Sequence, residues 1–321
     1  MNEGDLRRPG MGANFWVALD VIRSGRMPTA LVRCVRLAYS RGRTMLPKRM
    51  VQALLFFGFG IAFHAEPAMG QAAVKPTGPG ELPPAIIGTA PAPSGEAVTY
   101  LADDDRTSGY VAVPDGDGPF PAVILIHEWN GLSDNIRQVA DQLAAEGYLA
   151  FAVDLYRGRA GTTRDENMAL MGEARADEPA MVANIDAATR WLRARPDVTG
   201  KIAVMGWCFG GGVALSYGLE GEQHEGTAIF YGRLVEDPEV LRALTHPVYG
   251  TFAANDRGIP PDQVDRFAAA LRSIGIDNDI HVYDHVGHGF WLHVDRDPDN
   301  ATAPALDAWT RLKAYLLNVL S

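Results

Sequence analysis

From residue 109 onward, short apolar runs alternate with longer segments of helical periodicity, and this pattern constrains the fold more than any other feature of the chain. Apolar runs of five to seven residues bounded by turn residues predict buried strands, whereas periodic segments of eleven or more residues predict helices. The predicted strands are 97–101, 109–113, 121–126, 149–153, 201–205, 226–231, 247–253 and 278–283. The predicted helices are 133–146, 180–194, 210–220, 260–274 and 302–319. Because strands three to seven largely alternate with helices, we predict an α/β fold with a mostly parallel central sheet and helices on both faces.

The first two predicted strands are joined around Asp103-Asp104-Asp105, which indicates an antiparallel hairpin at the edge of the sheet. Residues 71–95 are rich in proline and glycine and are interpreted as an extended linker. We therefore expect one α/β domain over residues 96–321.

The turn Gly206-Trp207-Cys208-Phe209-Gly210-Gly211 lies between a predicted strand and a predicted helix. Small residues at such a junction permit the sharp turn that exposes a nucleophile above a sheet, as in the G-x-S-x-G elbow. Cysteine at the apex would supply a strongly nucleophilic thiolate. A buried cysteine in a glycine-rich turn is the alternative interpretation, since free cysteine packs like a small apolar residue.

Partners for a thiol nucleophile follow along the chain in the order that hydrolases of this architecture use, which is nucleophile, acid, histidine. Asp256 follows one predicted strand and His288 follows the next, so both belong at the same sheet edge as Cys208. His285 shares the loop of His288, but flanking Gly287 and Gly289 favour His288 as the base. A turn aspartate at Asp256 and a zinc site built from the nearby histidines remain alternatives.

Two backbone N–H groups are expected to form an oxyanion hole: that of Phe209, directly after the nucleophile, and that of Trp129, in the loop after His127. Glu128 lies in the same loop. On the residues alone, a solvated loop glutamate is the favoured interpretation of Glu128, and a carboxylate that holds the thiol proton of the resting cysteine is the alternative.

The first seventy residues differ in character from the rest of the chain. Residues 41–49 contain three arginines and a lysine, and they precede an uncharged apolar run at 51–63 and small residues near 68–72. This pattern is typical of a secretory signal peptide, with translation starting near Met45, so we expect an exported protein in which Cys208 is the only remaining thiol. An arginine-rich arm or an uncleaved anchor are the alternatives. Without residues 1–70, whose net charge is +6, the remainder carries −16, which argues against nucleic-acid binding.

The domain resembles the dienelactone hydrolase family of the α/β-hydrolase fold. The resemblance rests on His127-Glu128-x-x-Gly131-Leu132, Asp154-Leu155-Tyr156, Gly206-x-Cys208-x-Gly210-Gly211, Asn255-Asp256 and Gly287-His288-Gly289-Phe290. It implies a catalytic triad of Cys208, Asp256 and His288.

The resemblance also assigns roles to two further residues. It makes Glu128 the carboxylate that partners the resting cysteine, and it puts Arg164 where family members bind a substrate carboxylate. Met168 stands at the position of a second substrate-binding residue, a tyrosine, so that carboxylate site is incomplete.

The sequence thus predicts a hydrolase of activated esters or enol lactones that works through an acyl-thioester. It requires no metal or organic cofactor, and its partner is a small-molecule substrate. Thioester or peptide cleavage by the same triad is one alternative, and a non-catalytic exported binding protein that kept the fold is another.

Overall fold

The computed structural model describes residues 74–321, which form an eight-stranded sheet with helices on both faces. The strands are β1 (Glu96–Val98), β2 (Gly109–Ala112), β3 (Phe120–Ile126), β4 (Leu149–Val153), β5 (Val198–Trp207), β6 (Gly226–Phe230), β7 (Val248–Ala253) and β8 (Asn278–Tyr283). The helices are α1 (Asp134–Ala145), α2 (Arg164–Arg175), α3 (Glu178–Arg193), α4 (Phe209–Glu220), α5 (Pro238–Leu241), α6 (Pro261–Ser273) and α7 (Pro298–Leu320). The expected leader, the start near Met45 and Cys34 lie outside the described residues.

The strand order is β1-β2-β4-β3-β5-β6-β7-β8, and every pair from β4 to β8 is parallel. β1 and β2 pair antiparallel, and β2 also runs antiparallel to β4. The predicted α/β fold with a mostly parallel sheet is confirmed. Parallel neighbours end at one edge of the sheet, so the loops that follow β3 to β8 open toward the same side of the molecule.

Burial of both faces explains why the central strands are apolar almost throughout. In β3, Val123 and Leu125 pack with α1 and α7 on one face, whereas Ile124 and Ile126 pack with α3 and α4 on the other. A third apolar cluster joins β7 to α6. Strands covered on two sides carry continuous apolar runs, as the sequence of β3 does.

Residues 74–95, interpreted from composition as a linker, are irregular in backbone but packed against the domain. Ile86 is fully buried in the cluster of α1 and α7. The Thr77 side chain donates to Glu146 at 2.8 Å and accepts from the Trp309 indole N–H at 2.9 Å. Proline and glycine therefore shape a segment here that lies along the domain surface, which differs from a free spacer.

α2 was not predicted. Among its residues only Asn167 and Leu170 are buried, so the apolar periodicity is weak. The helix begins with a capping box, in which the Thr163 hydroxyl accepts from the Glu166 N–H and the Glu166 carboxylate accepts from the Thr163 N–H. Within residues 74–321, no helix combines the length and apolar character needed to cross a membrane.

Candidate active site

Cys208 occupies the turn between β5 and α4 with a backbone conformation of φ +54° and ψ −113°. A non-glycine residue at positive φ is strained, and the surrounding structure must hold it there. The Cys208 N–H donates to the carbonyl of Phe230 on the neighbouring strand at 2.9 Å. The turn thus presents the sulfur at the carboxyl edge of the sheet, where its residue is only partly buried.

Glycines at 206 and 210 make this turn sterically feasible. A Cβ on Gly206 would lie 2.2 Å from the carbonyl oxygen of Gly210, and a Cβ on Gly210 would lie 2.2 Å from that of Ile126. Both contacts are with backbone, which cannot rotate away. The absence of side chains therefore brings the start of α4 directly against the end of β3.

Asp256 and His288 come together from the loops after β7 and β8. The distance between His288 Nδ1 and Asp256 Oδ2 is 2.6 Å. The other carboxylate oxygen of Asp256 accepts from the N–H groups of Gly258 at 2.8 Å and Ile259 at 3.3 Å. Asp256 is thus fixed as an acceptor that orients the imidazole.

The electrostatic surroundings of His288 favour its charged form. Burial lowers the pKa of His288, but hydrogen bonds to Asp256 and to the Cys208 sulfur outweigh burial and raise this pKa to about 10. Burial raises the pKa of Asp256, but its hydrogen bonds to His288 and Gly258 lower this pKa by more. The net shift of the Asp256 pKa is downward. His288 and Asp256 are thus joined by a direct hydrogen bond, and Cys208 lies close enough to His288 to raise its pKa.

Glu128 contacts His293, five residues after His288 in the chain. Its carboxylate is nearly buried, and Glu128 Oε2 lies 3.1 Å from His293 Nε2. No spacing in the sequence signalled this pair, because it depends on the path of the chain between His288 and His293.

The chain between His288 and His293 is held in place by the buried side chain of Trp291, an aromatic anchor. Trp291 stacks on Trp207, with ring centroids 5.9 Å apart, and is fully buried. The Tyr231 ring lies 5.1 Å from that of His288, and the Tyr231 hydroxyl accepts from the Leu292 N–H at 3.4 Å. Sequence reasoning missed Tyr231, although it directly follows β6 at the same sheet edge.

The two N–H groups expected to form an oxyanion hole lie at the start of α4 and in the turn after β3. Phe209 is the first residue of α4, so its N–H has no partner within the helix. Trp129 lies in the turn after β3, and within residues 74–321 its N–H has no hydrogen-bond acceptor. Unpaired N–H groups in partly buried turns are uncommon in proteins, so this one is available for a ligand.

Three other residues that the sequence analysis considered lie apart from these contacts. The buried Asp154 carboxylate accepts from the N–H of Tyr156 at 2.8 Å and from that of Gly158, which organises its own loop. Arg164 begins α2 and is exposed, and no hydrogen bond or ion pair links it to a described residue of the site. His285 is exposed at φ +65° and does not contact Asp256.

A cavity of about 120 Å³ lies beside His288, lined also by His293, Arg296 and Phe290. Among the described residues, no three histidine, cysteine, aspartate or glutamate side chains are grouped as metal ligands.

Comparison with known proteins places this arrangement in context. A model of the dienelactone hydrolase family matches residues 107–320. A protein of Yersinia pestis named for carboxymethylenebutenolidase is 29% identical over 228 residues, covering 67% of this chain and 84% of the relative. A protein of Escherichia coli K12 with the same name is 28% identical over 253 residues, which cover 70% of this chain and 93% of that relative.

Solved structures agree with the sequence match. A crystal structure described as a dienelactone hydrolase from Klebsiella pneumoniae is 26% identical, with a TM-score of 0.61 over 70% of this chain and 98% of that one. A dienelactone hydrolase-like promiscuous phosphotriesterase from metagenomic libraries shares the fold, with 20% identity and a TM-score of 0.64. The match covers 72% of this chain and all of that one.

Proposed function

The chain belongs to the dienelactone hydrolase family, and from that premise we propose that it cleaves a small activated ester or enol lactone through Cys208, His288 and Asp256. Family membership makes it a hydrolase of ester or lactone bonds. The observation that carries the finer assignment is the pairing of His288 with Asp256 at 2.6 Å beside a cysteine in a strained strand-to-helix turn.

The proposed reaction has two steps. The Cys208 sulfur, whose proton is held by His288, attacks the ester carbonyl, and the carbon–oxygen bond then breaks as the leaving oxygen takes that proton from His288. Water next attacks the acyl-thioester, gives a proton to His288, and the proton returns to sulfur as the acid leaves. His288, oriented by Asp256, carries the proton in both steps.

Charge develops on the carbonyl oxygen in each step. The N–H groups of Phe209 and Trp129 are the proposed donors to that oxygen, because both come from the backbone around the nucleophile and lack partners in their own elements. Removing one such donor typically slows the reaction by a factor on the order of 100 to 1,000.

Glu128 and Arg164 complete the proposal. The contact of Glu128 with His293 keeps a carboxylate at the mouth of the site. Arg164 is the proposed contact for a carboxylate-bearing substrate, since its side chain is exposed and forms no ion pair with another described residue.

Replacement of the nucleophile tests the mechanism. The full chain with Cys208→Ala should lose at least 1,000-fold in kcat/KM on 4-nitrophenyl acetate, an enol lactone and a simple thioester. Cys34→Ala is the matched control, since it removes the other cysteine of the chain and should retain full activity. Equal activity of wild type and Cys208→Ala on every accepted substrate would rule the mechanism out. The substrate that the wild type hydrolyses fastest decides between ester and thioester chemistry.

We also propose that the protein is exported, on the strength of the basic and apolar N-terminal sequence alone. Protein recovered from a periplasmic or secreted fraction should begin near residue 70 when its N-terminus is sequenced. Recovery only from the cytosol with residues 45–70 intact would contradict export.

A further inference from the structure

His127 is fully buried, and both of its ring nitrogens are engaged, although it takes no part in the proposed triad. His127 Nδ1 lies 2.6 Å from the carbonyl oxygen of Glu128. On the other side of the ring, the Leu155 N–H points at His127 Nε2, with a distance of 3.2 Å. The ring therefore bridges the loop after β3 and the loop after β4.

These two contacts fix the tautomer of the ring. The Leu155 N–H can only donate, so His127 Nε2 must be an unprotonated acceptor. The Glu128 carbonyl can only accept, so the proton of the neutral ring resides on Nδ1. Burial lowers the pKa of His127 despite opposing effects of the Glu128 carbonyl and Asp154, which is consistent with a neutral ring.

The orientation of one peptide unit follows from this bond. The Glu128 carbonyl accepts from His127 Nδ1 and also from the Gly131 N–H at 3.3 Å. The 128–129 peptide bond is trans, so its N–H points away from its carbonyl. The Trp129 N–H is therefore directed away from the His127 ring, toward a side where no described group accepts it.

This peptide is a neighbour of the nucleophile turn. A Cβ on Gly210 would lie 2.4 Å from the His127 carbonyl oxygen, so the chain at 127 runs against the first turn of α4. The His127 and Phe209 ring centroids are 6.1 Å apart. The backbone on either side of this contact carries the N–H groups of Trp129 and Phe209.

We propose that His127 is a positioning residue, whose neutral Nδ1–H holds the 128–129 peptide so that the Trp129 N–H faces the carbonyl oxygen under attack by Cys208. This inference rests on the proposed function. Preorganised donors need no reorientation during the reaction, so loss of the His127 bond should lower kcat rather than substrate affinity. A histidine that only filled the core would show no such selectivity.

Two substitutions separate the roles of the two ring nitrogens. The amide of His127→Asn reaches about as far as Nδ1 and can still donate to the Glu128 carbonyl, but it gives up the contact with Leu155. The amide of His127→Gln reaches the Nε2 position and can accept from Leu155, but it gives up the bond to Glu128. Both variants remove the same ring from the core, so they are matched controls for packing.

Steady-state kinetics on 4-nitrophenyl acetate tests the proposal, with Cys208→Ala measured alongside. His127→Gln should lose on the order of 100-fold in kcat, while His127→Asn should stay within about 10-fold of wild type, with KM little changed in both. Alkylation of Cys208 by iodoacetamide should proceed at the wild-type rate in both variants, because the thiol and His288 are untouched.

Equal kcat losses in the two variants, or a wild-type kcat in His127→Gln, would overturn the positioning role. A fully active Cys208→Ala would instead refute the proposed function, and the role of His127 in it would fall as well. These outcomes are distinct.

A measurement on the wild type covers the case in which the variants do not fold. In ¹⁵N NMR of histidine-labelled protein, His127 should be neutral with a protonated Nδ1 at every pH from 6 to 9. His224 should give a similar signal, because its Nδ1 contacts the Glu222 carbonyl at 2.9 Å, and His224→Gln identifies it by removal. If no Nδ1-protonated neutral histidine remained in that variant, the proposal would be wrong.

Discussion

At the scale of single residues, two opposing effects set the pKa of His288. Burial disfavours a charged imidazole, whereas Asp256 and the Cys208 sulfur favour it, and the favourable contacts prevail. Because the side chain of His288 is 41% exposed, solvent partly screens these interactions. Orientation by Asp256 is therefore as important as its charge, since it leaves Nε2 of His288 free to face the sulfur.

The substitution Asp256→Asn tests that orientation. An amide can donate to His288 Nδ1 and so stabilise the tautomer with its proton on Nε2, which cannot accept the thiol proton. We expect a loss in kcat of about 1,000- to 10,000-fold, together with slower alkylation of Cys208 at pH 7. The exposed Asp284, in the same loop as His288, gives the control: Asp284→Asn should leave both rates unchanged. An Asp256→Asn variant as active as this control would exclude the orienting role.

At the scale of elements, close approach of α4 to β3 depends on Gly210. Both glycines at 210 and 172 lie in helices, but a Cβ at 210 would collide with two backbone carbonyls, whereas at 172 it would meet no atom within 4 Å. Substitution by alanine favours a helix by up to about 1 kcal/mol where space allows.

We therefore expect opposite effects of the same substitution at the two positions. Gly172→Ala should raise the free energy of unfolding by up to about 1 kcal/mol, whereas Gly210→Ala should lower it and reduce kcat, because α4 carries Phe209 next to Cys208. Urea unfolding and ester hydrolysis measure the two quantities. A Gly210→Ala variant with unchanged stability and kcat would show that the contact with Ile126 and His127 is not needed.

Elements with strong periodicity could be predicted from the sequence, and those stabilised by particular contacts could not. Buried strands such as β3 carry continuous apolar runs, and their order along the chain put Cys208, Asp256 and His288 at one edge. α2 has a weak apolar stripe, so only the Thr163–Glu166 capping box could have revealed it. The segment around Ile86 was interpreted as a linker because composition does not show which of its side chains are buried. The contact of Glu128 with His293 depends on the Trp291 anchor, which no spacing rule encodes.

At the scale of the whole molecule, histidines with shifted pKa values make stability depend on pH in two opposite ways. Burial lowers the pKa of His224 to about 4 and that of His246 to about 3, the latter with a further contribution from His224. Burial also lowers the pKa of His127. The contacts of His288 raise its pKa to about 10.

The sign of each effect follows from which state binds more protons. Between pH 6.5 and 4 the unfolded chain protonates its histidines while His224 and His246 stay neutral in the fold, so the free energy of unfolding falls as pH falls. Between pH 6.5 and 10 the folded chain keeps the proton on His288 while the unfolded chain has lost it, so the free energy of unfolding falls as pH rises. We expect a maximum near pH 6.5, with His224 and His246 each contributing a loss on the order of 2 kcal/mol at pH 5.

Urea unfolding of wild type, His246→Gln and His288→Gln at pH 5, 7 and 9 measures this dependence. His246→Gln should make the acid limb shallower and leave the alkaline limb unchanged, because Thr227 Oγ1, at 2.8 Å from His246 Nε2, can accept from the glutamine amide and His224 alone then titrates at this contact. His288→Gln should flatten the alkaline limb alone, so each variant is the control for the other. If both limbs kept their wild-type slopes in the two variants, the stability of the fold would be independent of His246 and His288, and the prediction would be wrong.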